Sequence, residues 1–196
     1  MLTSGAMRAL LDGPDALRGL RRVAGEIVER HRGVEDLLLV GIRRGGVPIA
    51  EILAEHLREL EGEVPLGTVD ITLYRDDAAT ALPNPRIGPT QLPIPIAGRR
   101  IVLVDDVLFT GRTIRAALDA VLDYGRPERI ELAVLIDRGG RELPIQADYV
   151  VKQVSVPPEE RVDVYVRDGA PAAVIQSASS PSIPPGGPES APENTP

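Results

Sequence analysis

The sequence predicts an α/β protein with a central parallel sheet flanked by helices, on two observations. Short, almost wholly apolar runs recur at "DLLLVGI" (36–42), "RIVLVDD" (100–106) and "RIELAVLID" (129–137), and such runs mark strands buried on both faces. Between them lie segments with apolar residues at helical spacing, and strands alternating with helices build parallel sheets. The 196-residue length fits one globular domain of ordinary size. It is expected to span residues 1–168, followed by a tail of residues 169–196.

The elements follow in order. Residues 14–31 carry Leu17, Leu20, Ala24, Ile27 and Val28 on one helical face, Asp12 as N-cap, and Arg18, Arg22 and Arg32 opposite. After the first apolar strand comes glycine-rich "GIRRGG", then a helix at about 47–60 with Ile49, Ile52, Leu53, His56, Leu57 and Leu60 on one side. "GTVDITLYRDD" (67–77) alternates Val69, Ile71 and Leu73 as a strand does. The proline-rich stretch that follows, 78–98, is too long for an ordinary connection; such loops are lids or disordered segments. Ile114, Ala117, Leu118, Val121 and Leu122 form a helical stripe ended by Gly125 and Pro127. "ADYVVKQV" (147–154) and "RVDVYVRD" (161–168) read as extra strands of a small hood. The last 28 residues hold seven prolines, five serines and no Lys or Arg, too little apolar surface to offset ordering. A disordered tail is expected there.

Composition removes several chemistries. The chain has no cysteine, so disulfides, thiol nucleophiles and thiolate metal sites are excluded. With His31 and His56 the only imidazoles, the metal to expect is a hard cation on oxygen, such as magnesium. The apolar runs are short and the N-terminus lacks a signal-like core, which points to a cytoplasmic protein with no membrane partner. At a net charge of −7, a polyanionic partner requires a local basic patch.

In open α/β sheets ligands bind beyond the carboxyl ends of the strands, which singles out the loops 41–46, 74–98, 105–113 and 137–141. The most informative is within "VLVDDVLFTGRT" (102–113). Thr110, Gly111, Arg112 and Thr113 fall where a strand-to-helix turn meets a helix N-terminus, whose free amides and dipole suit a phosphate. Asp105 and Asp106 repel a phosphate, but they accept hydrogen bonds from hydroxyls or hold magnesium. A ligand that satisfies both carries a phosphate at one end and vicinal hydroxyls nearby, as a ribose 5-phosphate does.

This stretch resembles the signature with which type I phosphoribosyltransferases bind phosphoribosyl pyrophosphate (PRPP). "ERHRGVEDLLLVGI", "DITLYRDD" and "GRPERIELAVLIDRGGRELPIQADYVVK" are similar to the PyrR family, bifunctional pyrimidine operon RNA regulators and uracil phosphoribosyltransferases. The likeness runs from about residue 10 to 168. It implies the type I phosphoribosyltransferase fold, with a hood and a long flexible loop, and a homodimer or higher homo-oligomer. It implies the substrates PRPP and uracil, the ligands UMP and UTP, magnesium, and pyrimidine operon leader mRNA as partner. By the family pattern Asp105 and Asp106 hold the ribose hydroxyls and, mainly through PRPP, the metal; Val107, Leu108 and Phe109 lead into the phosphate cradle of Thr110, Gly111, Arg112 and Thr113. Arg43, Arg44 and Gly45 match the pyrophosphate loop, which in this fold often carries a cis peptide. The family's Thr-Arg-Gly is here Arg44-Gly45-Gly46, so the arginine that meets pyrophosphate is either Arg43 or Arg44.

Arg75 and Arg86 fall on the lid loop, with Asp70 and Asp76 beside them; Arg75 is assigned to the catalytic set and Arg86 to substrate contact. Purine transferases with this signature carry aspartate immediately before the Thr-Gly, where this chain has Phe109, which favours a pyrimidine. The base edge is expected at Ile136, Asp137 and Arg138, with Val162 over the ring; Asp137 alternatively caps a turn. The RNA face of the family maps onto Arg22, Arg30, Arg141 and Lys152, with Arg18, Arg21 and Arg32 as added cations. Gly25, Gly140 and Gln146 stand where the family has histidine, histidine and arginine. Two other functions compete: a UMP-sensing RNA regulator with little catalysis, and a transferase for another base such as orotate.

Overall fold

The computed structural model describes residues 7–74, 90–184 and 186–188. Arg75, Asp76 and Arg86 lie outside the described residues.

The chain begins with strand β1 (Arg8–Leu11) and helix α1 (Gly13–His31). Asp12 caps α1 as the sequence requires, its carboxylate accepting from the Asp15 amide at 2.8 Å. The helix buries Ala16, Leu20, Val23, Ala24 and Ile27, the larger of them contributing about 1.5–3 kcal/mol each relative to exposure. Strand β2 (Leu37–Ile42) is buried at every residue, and helix α2 (Gly46–Leu60) follows it. Strand β3 (Leu66–Val69) is shorter than the alternation through Leu73 implies; Asp70 ends it, its carboxylate bonding the Thr72 amide and hydroxyl in a turn.

Strand β4 (Arg100–Leu108) runs through both aspartates and on to Leu108. Helix α3 (Arg112–Leu122) buries Ile114, Ala116, Ala117, Ala120 and Val121, whereas Leu122 is exposed. Strands β5 (Arg129–Asp137), β6 (Tyr149–Gln153), β7 (Glu160–Arg167) and β8 (Ala170–Ser177) complete the chain.

The central sheet has the order β3-β2-β4-β5-β6 and is parallel throughout. One apolar cluster lies between it and α1 and α2, a second between it and α3. Two sequence expectations are corrected. Residues 147–154 do not join the hood: β6 extends the central sheet beside β5. The hood is a separate antiparallel sheet of order β1-β8-β7, and the tail boundary at 169 is wrong, because Ala170–Ser177 is a strand paired with β7 from Arg167↔Ala170 to Glu160↔Ser177. Pro171, Ala173 and Ile175 alternate inward there, and Ala173 and Ile175 belong to the main core. A polar average over 28 residues hid eight that bury one face.

Candidate active site

Asp105 and Asp106 sit in the C-terminal half of β4, Asp105 level with Val134 of β5. Asp105 is only 5 % exposed. It accepts from the Asp106 amide at 3.0 Å, and Asp106 accepts from the Val107 amide at 2.8 Å. Neither forms an ion pair among the described residues. Burial pushes the Asp105 carboxyl well above the usual carboxylate range, and the charge of Asp106 adds to it. Burial also raises Asp106, against the pull of the Val107 amide. Two unneutralised acids side by side constitute a site that gains by accepting hydroxyl donors or a cation.

The loop at 43–46 presses on this pair. A Cβ at Gly45 would lie 2.0 Å from Asp106 Oδ2, and one at Gly46 would lie 2.1 Å from the Val104 carbonyl. Only glycine lets the backbone come so close. The Arg43–Arg44 peptide is cis, as the resemblance implied. Arg44 is exposed, while Arg43 is half-buried, with Nη2 3.4 Å from Thr68 Oγ1 and Nε buried without a partner.

Two helix N-termini open on the same end of the sheet. α2 starts at Gly46 behind Gly45, and α3 starts at Arg112 behind Gly111, whose φ of 92° is left-handed; neither has a side-chain cap bond. First-turn amides at such helix starts point along the positive end of the helix dipole, an arrangement suited to an anion. The Arg112 amide donates to Thr110 Oγ1 at 3.3 Å, and Thr113 is exposed.

On the base side, Ile136 and Asp137 end β5 and are buried, as is Val162 on β7. Arg138 is 6 % exposed and lies flat on the Phe109 ring, its Cζ 4.0 Å from the centroid. It donates to the Val156 and Pro157 carbonyls at 3.5 and 3.3 Å, while its Nε is buried and unpartnered. Burial lowers its pKa. Asp137 caps a turn: Oδ1 accepts from the Gly139 amide at 3.0 Å and Oδ2 from Arg141 at 2.6 Å. Gly140 is the other wall of Phe109, since a Cβ there would lie 2.5 Å from Cε2.

The basic residues assigned to RNA form two groups. Arg18, Arg22 and Lys152 meet where α1 packs on β6, around a cavity of about 380 Å³. Each also has a partner within the chain: Arg18 with Asp15, Arg22 with Glu26 at 2.5 Å, Lys152 with the Leu10 carbonyl at 2.7 Å. Arg21 faces Glu59 at 3.8 Å, and Arg30 bonds Asp148 at 3.1 Å. Arg141 is different. Besides Asp137 it donates to the carbonyls of Ile145, Leu108, Phe109 and Gly139, so it braces the strand ends.

Sequence reasoning missed a buried cluster at the opposite end of the sheet. Glu131, 3 % exposed, accepts from Tyr149 Oη at 2.8 Å and from His31 Nε2 at 2.7 Å, with Arg129 and Arg30 Nη1 at 3.4 and 3.5 Å. Arg100 lies 3.1 Å from His31 Nδ1. Burial pushes the Glu131 carboxyl up, but the bonds from Tyr149, His31 and Arg129 outweigh it and hold the group below its ordinary value. A lone glutamate in an otherwise apolar strand was the available signal, because a buried charge requires partners.

A model of the phosphoribosyl transferase domain matches residues 7–165. The Bifunctional protein PyrR of Chloroflexus aurantiacus is 54 % identical over 179 residues, covering 90 % of this chain and 98 % of that one. That of Geobacter sp. (strain M21) is 55 % identical over 168 residues, 85 % of this chain and 95 % of its own. The chain belongs to the PyrR family of phosphoribosyltransferases. Among solved structures, hypoxanthine phosphoribosyltransferase from Trypanosoma cruzi in complex with the product IMP matches with a TM-score of 0.66 at 19 % identity, over 87 % of this chain and 90 % of that one. The hypoxanthine-guanine enzyme of Bacillus anthracis gives 0.64 at 16 %, covering 86 % and 98 %. At such identities the likeness is one of fold. Within this PyrR-family frame the acid pair, the Gly45–Gly46 contact and the α3 N-terminus occupy one end of the sheet.

Proposed function

We propose that the protein is a uracil phosphoribosyltransferase, forming UMP and diphosphate from uracil and PRPP, and a uridine-nucleotide-dependent regulator of pyrimidine genes through mRNA binding. The observation that carries the enzymatic half is the unneutralised pair Asp105 and Asp106 beside the uncapped N-terminus of α3. The carboxylates accept the 2- and 3-hydroxyls of the ribose, and the amides from Gly111 to Thr113 hold the 5-phosphate. Gripped at both ends, the sugar presents its anomeric carbon to the base, and positioning alone supplies a large share of the rate.

The bond to pyrophosphate breaks as a uracil ring nitrogen attacks and releases its proton to solvent, through an oxocarbenium-like state that the nearby carboxylates stabilise electrostatically. Arg43 or Arg44 and the amides of α2 face the leaving pyrophosphate. Phe109, held between Arg138 and Gly140, gives the base a flat apolar wall with no group to protonate a purine. Ile136, Arg138 and Val162 line the base edge, while Asp137 acts behind it as the turn cap that fixes Arg141. Arg75 and Arg86 complete the proposal as lid residues.

Magnesium fits the site: Asp105 and Asp106 are hard oxygen donors whose mutual repulsion a cation relieves. Among the described residues no group of three or more His, Cys, Asp or Glu forms a cage, so these two acids, with substrate oxygens, are the residues that would hold it. When bound, the ion neutralises charge developing on the leaving group.

For RNA, Arg18, Arg21, Arg22, Arg30 and Lys152 are the contacts. The exposed ion pairs of Arg18, Arg21 and Arg22 are worth about 0–1 kcal/mol each, so phosphates displace their carboxylate partners at little cost. Arg141 stays a brace. The protein acts in the cytoplasm as a homodimer or larger homo-oligomer; among the described residues no helix is long and apolar enough to cross a membrane. The test is pyrophosphate release with PRPP, magnesium and a panel of uracil, orotate and hypoxanthine, run beside a gel shift with a pyrimidine leader transcript. Release with uracil alone and UMP-dependent binding of the leader over a scrambled RNA are expected. Release with orotate or hypoxanthine in place of uracil refutes the base assignment.

A further inference from the structure

The chain does not leave the hood after β8. The Ser180 amide donates to the Ser177 carbonyl at 3.0 Å in a turn, and the following proline-rich stretch returns along β7. Gln176 Nε2 donates to the Pro181 carbonyl at 2.9 Å. Arg167 donates from Nε to the Gly186 carbonyl at 3.4 Å and from Nη2 to the Pro188 carbonyl at 2.5 Å. Gly187 is buried against Tyr165: a Cβ there would lie 2.7 Å from Tyr165 Cδ2 and 3.0 Å from Arg167 Nη2. The Gly187 amide turns inward to the Pro184 carbonyl at 2.9 Å.

Gln176 pairs with Arg161 near the start of β7, and Arg167 ends it. The segment meets these anchors in chain order, Pro181 at Gln176 and then Gly186 and Pro188 at Arg167, and the Gly187 φ of 92° brings its backbone against Tyr165. The chemistry matches too. Prolines offer carbonyls and no amide donors, while the hood offers an amide, a guanidinium and an aromatic face on side chains that share one side of the sheet. Surfaces that recognise proline-rich segments combine the same groups.

We propose that this face of the hood is a binding site for a proline-rich segment, occupied in cis by residues 181–184 and 186–188 of the chain, which thereby act as a latch on β7 and β8. The latch continues into β7: the Gln176 amide that holds Pro181 also donates to Asp163 Oδ2, at 2.5 Å, and Arg161 Nε donates to the same oxygen at 3.1 Å. The inference stands apart from the proposed reaction, since docking requires neither substrate nor RNA.

The test is backbone nuclear magnetic resonance on the full-length ¹⁵N-labelled chain and on Arg167→Ala and Gly187→Ala. In the native chain the Gly186 and Gly187 amides should show order parameters near those of rigid backbone, about 0.8, and Gly187 should be shifted by the Tyr165 ring current. In Arg167→Ala the loss of a charged hydrogen-bond donor should lower the docked-to-free ratio on the order of tenfold, with β7 and β8 keeping native shifts. Gly187→Ala, whose new methyl meets Tyr165, should release the segment without touching the sheet, and it gives the answer if Arg167→Ala fails to fold. Random-coil shifts for Gly186 and Gly187 in the native chain overturn the proposal. So does a residue-187 amide that stays ordered and ring-shifted in either folded variant.

Discussion

Two ends of one sheet bury carboxylates in opposite ways. At the amino end Glu131 is ringed by Tyr149, His31, Arg129 and Arg30, and those bonds hold it ionised. At the carboxyl end Asp105 and Asp106 have backbone amides and each other, and burial pushes both toward the protonated form. A satisfied buried charge braces a fold. An unsatisfied pair is a cost that the apo protein carries for a ligand, as strain and stability lost at functional sites often are.

The comparison breaks first at the acids. Asp105→Asn with Asp106→Asn should lower uracil-dependent pyrophosphate release by on the order of a hundredfold or more, two charged hydrogen-bond acceptors being lost, and yet raise the melting temperature of the unliganded protein by calorimetry. Unchanged kinetics, or a lower melting temperature, ends the assignment. Glu131→Gln should behave in reverse, losing about 3 kcal/mol in urea unfolding because its partners stay buried, with UMP affinity intact.

The pH dependence of unfolding separates the two ends by sign. Glu131 has a folded pKa below its unfolded one, so its contribution is present above the ordinary glutamate range of about 4.3 and is lost as pH falls through the depressed value. Asp105 and Asp106 have raised folded pKa values; their effect favours the fold below the ordinary aspartate range of about 3.9 and is lost as pH rises through the raised values. Removing Glu131 should flatten the acid limb of the stability curve, and removing the aspartates should flatten the fall on the other side. Identical curves for the two variants would contradict the contrast.

Smaller effects sharpen it. Gly45→Ala places a methyl against Asp106 Oδ2 and should weaken PRPP binding about tenfold, measured by isothermal titration, with the sheet intact; a lattice of unchanged affinities would show that the loop does not set the acid's position. Lys152→Ala should cost the least, weakening leader RNA uniformly and lowering the salt slope of binding by about 1. An unchanged slope removes Lys152 from the RNA face.

Much of the fold was legible because β2, β4 and β5 are buried on both faces and so must be written as apolar runs, and because α1 and α3 must keep a stripe. Thr110 to Thr113 and the two aspartates stood out for a related reason: the end of an apolar strand and the start of a helix lie a few positions apart in the sequence. The hood was legible only in part: β7 is the strand expected at 161–168, but β1 and β8 pair from opposite ends of the chain, Arg8 facing Ile175, and a local window cannot see such pairing. The same holds for Glu131, whose partners His31, Arg100 and Tyr149 are scattered over the sequence, and for Arg141, which looked like a surface cation and is a brace.

What the sequence determined by itself is whatever repeats within a turn or a strand: the α/β alternation, the Asp12 cap and the acid pair. Tertiary structure alone decided which charges are satisfied, that six basic residues have partners, and that the proline-rich end lies on Tyr165 and Arg167. The physical reason is that periodicity and chain geometry act over a few residues, while hydrogen bonds and desolvation depend on who is adjacent in space, and only folding brings residues 31 and 131, or 45 and 106, together.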